Sequence, residues 1–255
     1  MRLDEARYTG AKVPDITPSF WVAKILSTAM GEATSDFLVF HTNPYLAVAA
    51  GGIGFLAALA LQFSLRRHVP AVYWLVVVMV SIFGTMIADV IHVVLGVPYT
   101  VSTTLFAVSL VVILWLWNTT ERSLSIHTII TPRREAFYWA TVIATFALGT
   151  AAGDLTASTF GMGYLNAAVL FSALFVLPGI AYVARGLSEV PAFWTAYILT
   201  RPMGASFADW FDKPVATSGL GWGTPSVSAA LTIAVALAVL YICVNHQPRA
   251  PDTNA

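Results

Sequence analysis

Residues 193–209 read FWTAYILTRPMGASFAD. An aromatic pair opens the stretch, Gly204 follows Trp194 after nine intervening residues, and Asp209 follows Gly204 after four. The same pattern, Trp-x9-Gly-x4-Asp, occurs four times with no slip: Trp21, Gly31, Asp36; Trp74, Gly84, Asp89; Trp139, Gly149, Asp154; and Trp194, Gly204, Asp209. Phe20, Tyr73, Tyr138 and Phe193 precede the tryptophans. Each copy lies in an apolar run of membrane-spanning length.

The surrounding composition fits that reading. The chain is 58% hydrophobic and 10% charged, a balance that excludes an ordinary soluble domain. Charges collect in short segments between apolar runs of about 20 residues, the length that crosses a bilayer as helix. Eight runs emerge, at residues 19–41, 45–65, 71–95, 100–118, 136–160, 164–184, 191–211 and 225–244. Odd runs carry the motif and even runs are almost purely apolar. Each odd–even pair therefore reads as one αα-hairpin repeat, joined by Gly/Pro turns such as Asn43-Pro44 and Gly96-Val97-Pro98. The fourth turn carries an insertion, Asp212 to Gly219. The expected fold is an all-α membrane protein: eight transmembrane helices as four direct-repeat αα-hairpins, with the odd helices forming an inner bundle. Residues 1–255 form a single transmembrane domain, with repeats at about 19–66, 71–119, 136–185 and 191–245.

Charge asymmetry orients the chain. Arg2, Arg7, Lys12, Arg66, Arg67, Arg122, Arg133, Arg134, Arg185 and Arg249 fall on one side, and the loops of the other hold only Lys213. The positive-inside rule places both termini in the cytoplasm. The first helix serves as its own insertion signal, with no cleavable signal peptide expected. The aromatic–Trp pairs then sit at the level of an inner-leaflet aromatic belt, with Lys24 near enough to snorkel there. Glycine lies ~15 Å and aspartate ~22 Å further along each helix.

The glycines are each followed four residues later by Ser35, Ala88, Gly153 or Ala208, a small-xxx-small pattern suited to close helix packing in lipid. Pro202 is expected to kink the seventh helix. The aspartates carry the functional signal, because an ionised carboxylate at mid-helix costs roughly 2.5–3.5 kcal/mol. The spans hold Glu32, Asp36, Asp89, Asp154 and Asp209 against Lys24 and Arg201, a negative excess that protons, metal cations or polar solvent must balance. Lys24, Thr28, Glu32 and Asp36 form one i+4 stripe, as do Ser81, Thr85 and Asp89 with His92 a turn further. Thr150 stands one turn before Asp154, and Arg201 two turns before Asp209. Arg201 and Glu32 lie ~6 Å apart in depth, within reach of each other if the first and last odd helices are neighbours.

The expected ion-binding set is Asp36, Asp89, Asp154, Asp209 and Glu32, with Arg201, His92, Thr85 and Thr150 in support. The four aspartates would be the metal ligands. Carboxylates suit Mg²⁺, Ca²⁺ or Mn²⁺, and His92 tilts the choice toward Mn²⁺. Four ionised aspartates are too many for one divalent ion, so proton exchange is expected. The competing reading puts the aspartates at a wet outer interface, where they only join helices. Geometry adds a constraint: each aspartate lies about 140° round its helix from the glycine, so both cannot point at one central axis.

Other chemistry finds little support. His41, His68, His127 and His246 lie in loops or at interfaces, and the single cysteine, Cys243, lies in the last apolar run. The charged segment 119–135 reads as a solvated cytoplasmic connector. No catalytic constellation is recognised, so no enzyme activity is expected, and the neutral formal charge gives no reason to expect nucleic acid. Partners are the lipid bilayer, the cation and its coupled protons, with a homo-oligomer allowed.

The four motif copies resemble a bacterial family of polytopic inner-membrane proteins, usually described only as uncharacterised membrane-anchored proteins. The likeness is carried also by Gly31-Glu32, Ser125-Ile126-His127, Arg133-Arg134-Glu135 and Arg201-Pro202-Met203-Gly204-Ala205-Ser206. It implies a bacterial inner-membrane location and no particular activity. The functional expectation is a membrane transporter or channel-like carrier for a cation, with a divalent metal favoured. The alternative is a structural or partner-binding membrane scaffold whose aspartates hold helices together.

Overall fold

The computed structural model describes residues 10–245, so Arg2, Arg7, His246 and Arg249 lie outside the described residues. The described residues are all-helical, with eight α-helices: α1 (Pro18–His41), α2 (Pro44–Ser64), α3 (Pro70–Asp89), α4 (Tyr99–Glu121), α5 (Pro132–Asp154), α6 (Tyr164–Val183), α7 (Glu189–Asp212) and α8 (Thr224–Asn245). Proline at the first turn starts α1, α2, α3 and α5, where its missing N–H costs nothing. Thr17, Asn43 and Thr131 cap α1, α2 and α5 by accepting hydrogen bonds from backbone N–H groups of the first turn. α7 runs through Pro202 without interruption. Directly after Asp89 and Asp154, α3 and α5 widen into π-helical turns, Val90–Val94 and Leu155–Thr159.

Six helices are long and apolar enough to cross a membrane, namely α2 to α6 and α8. α1 and α7 fall short of that apolarity because Lys24, Glu32 and Asp36 interrupt one and Arg201, Asp209 and Asp212 the other. These two helices pack against each other. The odd helices contact one another in the closed order α1, α3, α5, α7, α1.

Two sets of contacts run round that order in the same sense. At the end where the odd helices begin, each aromatic of the aromatic–Trp pair meets the tryptophan of the next odd helix. Ring centroids are 5.7 Å apart for Phe20–Trp74, 5.6 Å for Tyr73–Trp139, 6.1 Å for Tyr138–Trp194 and 5.8 Å for Phe193–Trp21. Higher up, each motif glycine faces the residue seven positions beyond the next tryptophan. Gly31 abuts Ser81, Gly84 Phe146, Gly149 Arg201, and Gly204 Thr28. At the tryptophan level the aromatic pairs face one another more than the surroundings, with Trp21 left half-buried. Trp74, Trp139, Trp194, Phe20, Tyr73, Tyr138 and Phe193 are buried in one apolar cluster, because they fill the interfaces between odd helices.

Each even helix packs chiefly on the odd helix that follows it: α2 on α3, α4 on α5, α6 on α7, and α8 back on α1. The principal packing partner is thus the next repeat rather than the odd helix of the same hairpin. α4, α6 and α8 leave most of their apolar surface exposed.

The tryptophan end is closed by a strap before α1. Lys12, fully buried, donates to Glu135 and to the Gln62 carbonyl, both at 2.6 Å, while Gln62 Nε2 donates to the other Glu135 oxygen at 2.8 Å. The solvated role expected of the 119–135 segment fails at Glu135 for this reason. Glu121 instead pairs with Arg133 and Arg134 near the surface.

The glycine contacts predict graded damage. A Cβ at Gly31 would strike the Ser81 side chain and carbonyl carbon, and one at Gly204 would lie 2.9 Å from the Ala29 nitrogen. At Gly84 it would meet only the Phe146 Cβ, at 3.1 Å. Gly31→Ala and Gly204→Ala should each cost about 1–3 kcal/mol and Gly84→Ala clearly less. Thermal unfolding of the three variants in detergent, compared with wild type, checks that order.

Candidate functional site

The i+4 stripes meet between the odd helices. Their centre is Arg201, fully buried on α7. Its guanidinium donates to the Thr28 carbonyl at 2.8 Å and to Thr150 Oγ1 at 2.8 Å, and it forms a 2.5 Å ion pair with Glu32. It also donates to Thr85 Oγ1. One side chain therefore touches all four odd helices. Glu32, Thr85 and Thr150 occupy the same position in their repeats, eleven residues beyond the tryptophan, where the fourth repeat has Ala205. The Arg201–Glu32 contact joins α7 to α1, which are neighbours.

One turn nearer the tryptophan end lies Lys24. It does not snorkel, because aromatic faces enclose it. It is fully buried, its ammonium 4.3 Å from the ring centres of both Phe146 and Tyr197, and it donates to Thr200 Oγ1 at 3.2 Å. Below it the Tyr73 and Tyr138 hydroxyls share a 2.5 Å hydrogen bond.

At the other end the aspartates divide. Asp36 and Asp209 come together with Asp212, which lies a turn beyond Asp209. The three carboxylates offer oxygens that all lie within 4.8 Å of one another. All three residues are buried. Lys213, the first residue past α7, forms an ion pair with Asp36 and lies 3.6 Å from Asp209 Oδ1. Burial opposes its charge, but the carboxylates of Asp209 and Asp36 outweigh that and hold its pKa above the usual lysine range. Neither oxygen of Asp212 has a hydrogen-bond partner among the described residues.

Asp89 and Asp154 remain outside this group. They are half-buried, and their carboxylates make no hydrogen bond or ion pair among the described residues. They stand within electrostatic reach of Glu32 and Asp36 and of each other, and so border the same acidic region. They end the two helices that widen into π-turns, whereas α1 and α7 continue as α-helix beyond Asp36 and Asp209. His92 stands apart from the carboxylate group, with Ser102 Oγ of α4 3.3 Å from its Nε2. Its ring lies against Tyr99, 3.9 Å between centroids, with Nδ1 3.1 Å from the Val97 carbonyl oxygen, so its own turn holds it.

Sequence reading missed Asp212 and Lys213 because both fell in the stretch taken for a loop insertion. Helical spacing was the available signal: Asp212 stands three residues beyond Asp209, on the same face. Three buried carboxylates are a hard-oxygen donor set of the kind that suits Mg²⁺, Ca²⁺ or Mn²⁺, and the Lys213 ammonium lies beside them.

The Arg201 hub predicts strong coupling. Arg201→Met leaves Glu32 buried without its counter-charge and should cost about 3–5 kcal/mol. Adding Glu32→Gln removes the stranded charge and should recover much of that loss. Unfolding of the two single variants and the double variant forms the cycle that measures it, and additive losses would disprove the coupling.

No curated protein and no solved structure matches the chain. Its four repeats are matched by one family model at residues 19–68, 72–123, 137–187 and 192–247, and the chain belongs to that family, described as Repeat of Unknown Function (DUF347).

Proposed function

We propose that the protein is a secondary carrier for a cation, with a divalent metal as the substrate class. The observation that carries this reading is the convergence of Asp36, Asp209 and Asp212 within 4.8 Å. Buried carboxylates in a membrane protein demand a counter-charge. Asp36 and Asp209 have Lys213 beside them, while both oxygens of Asp212 lack a hydrogen-bond partner. Asp89 and Asp154 border the entrance and draw cations toward it. Proton exchange with these carboxylates balances the charge a metal brings.

In this reading the odd helices are the inner bundle of four direct-repeat hairpins and the even helices are its lipid-facing shell. Alternating access arises from movement of some repeats against others about the central axis. The acidic end faces outward and both termini are cytoplasmic, as Lys12, Arg66, Arg67, Arg122, Arg133, Arg134 and Arg185 at the tryptophan end favour. The membrane is a bacterial inner membrane, as the resemblance of the motifs suggests. The buried aromatic contacts and the Lys12–Glu135 pair fill the tryptophan end, which this reading makes the cytoplasmic one.

A scaffold is the second reading, and the Arg201 hub favours it. A single guanidinium bonded to all four odd helices would suit a protein that needs only to hold its shape.

Flux separates the two. In proteoliposomes, Asp36→Asn and Asp209→Asn should each cut Mn²⁺ uptake by roughly tenfold or more, the scale on which metal sites respond to altered ligation. Asp89→Asn should slow uptake by a smaller factor and leave the protein folded. No Mn²⁺, Mg²⁺ or Ca²⁺ flux by the wild type would favour the scaffold.

A further inference from the structure

The turn after α7 differs from its three counterparts by its insertion, and that insertion begins by placing a lysine against the acidic group. The Lys213 ammonium pairs with Asp36 and approaches Asp209 to 3.6 Å. Its backbone is firmly tied. Leu220 N–H donates to the Trp210 carbonyl, Gly221 N–H to the Lys213 carbonyl at 2.8 Å, and Trp222 N–H to the Phe211 carbonyl at 3.0 Å. Gly219 is confined to this path, since a Cβ there would strike the Lys213 backbone. The side chain is less confined. It is 23% exposed, whereas Asp36 and Asp209 are at most 10% exposed, so the lysine side chain lies nearer the surface than the carboxylates it contacts.

A fixed backbone with a partly exposed side chain against the carboxylates is the geometry of a tethered ligand. The ammonium brings one positive charge to three carboxylates and contacts only two of them. Asp212 is 4% exposed and receives no donor at either oxygen. An occupant that leaves a buried carboxylate unserved is one that a divalent ion can outcompete. The ion brings twice the charge and accepts oxygens from all three acids at once.

Resting on the cation-carrier reading, we propose that Lys213 is a tethered competitor for the site: its ammonium occupies the Asp36–Asp209 carboxylates until a divalent cation binds with Asp212 and expels it to solvent. The exchange is ionic. Lys213 stays protonated, no covalent bond changes, and the cation replaces the ammonium among the carboxylates. Occupation by the lysine keeps the acidic end from carrying its full repulsion when no substrate is present. It also sets a threshold concentration, because the cation must displace a ligand of high effective concentration.

The test uses the full-length protein in detergent with Mn²⁺ as probe. Binding is measured by calorimetry, and acylation of the Lys213 amine by an amine-reactive reagent is followed by peptide mass spectrometry. Saturating Mn²⁺ should raise Lys213 labelling several-fold, and Lys213→Gln should bind Mn²⁺ at least tenfold more tightly than wild type. Should Lys213→Gln fail to fold, labelling of the wild type decides alone. Mn²⁺ binding to the wild type with unchanged labelling, or with unchanged affinity in a folded Lys213→Gln, overturns the competitor role and leaves the cation site standing. Binding to Lys213→Gln alone supports it, with the lysine as the stronger occupant. Absence of binding to both proteins overturns the site and the competitor together.

Discussion

A guanidinium buried between four helices is the constraint on which this architecture depends. Arg201 cannot lose its charge, so its surroundings must supply acceptors, and among the described residues its two terminal nitrogens find them while Nε does not. Glu32 provides the countercharge, Thr85 and Thr150 provide hydroxyls, and the Thr28 carbonyl takes a further N–H. These groups come from the three other odd helices, so none of the four can shift without stranding a buried polar atom. Buried ion pairs are weak sources of net stability because desolvation offsets their attraction. Their effect here is on arrangement: misregistered packings of four similar apolar helices would leave Arg201 unsatisfied.

Register between helices also explains the invariant spacing within each repeat. The aromatic pair and the glycine are two points of one helix–helix interface, and both address the following odd helix. Changing the separation of Trp21 and Gly31 would move one contact off its partner while the other stayed. The glycine's angular offset from the aspartate, which seemed to force a choice between a packed seam and a shared acidic site, is resolved by the same geometry. Glycines lie at the flanks where adjacent odd helices touch. Thr28, Glu32, Thr85 and Thr150 turn toward Arg201, while Ser81, a turn before Thr85, donates to the Ser27 carbonyl across the α1–α3 flank.

Much of this was legible because apolar length and i+4 periodicity are local properties of the chain. The eight helices, the polar stripes and the reach of Arg201 toward Glu32 follow from spacing alone. What was not legible depended on tertiary neighbours. Tryptophan suits a membrane interface as well as a packed interior, and only the contact of Tyr73 with Trp139 shows which applies. Lys24 has the length to snorkel, but Phe146 and Tyr197 come from other helices and enclose it. The equality of the four aspartates was an inference from repetition. Repeats copy a residue, while its surroundings depend on how each helix ends. The α-helix continues past Asp36 and Asp209 and widens after Asp89 and Asp154.

The charges along the odd helices are sorted by depth, and within the proposed cation-transport reading that sorting suits a carrier better than an open channel. Lys24, Arg201 and Glu32, deep among the odd helices, sum to one formal positive charge. Asp36, Asp89, Asp154, Asp209, Asp212 and Lys213, at the far end, sum to four formal negative charges. A cation is therefore attracted to the aspartate end and repelled from the middle, where low dielectric strengthens the repulsion. Behind that barrier the Tyr73–Tyr138 hydrogen bond and the buried aromatic contacts leave the interior filled. Ion flow down a static path would have to pass both the barrier and the plug. A cation held by Asp36, Asp209 and Asp212 reaches the other side only if the helices rearrange around Arg201, whose hydroxyl and carbonyl acceptors on three separate helices are the contacts such a movement would exchange.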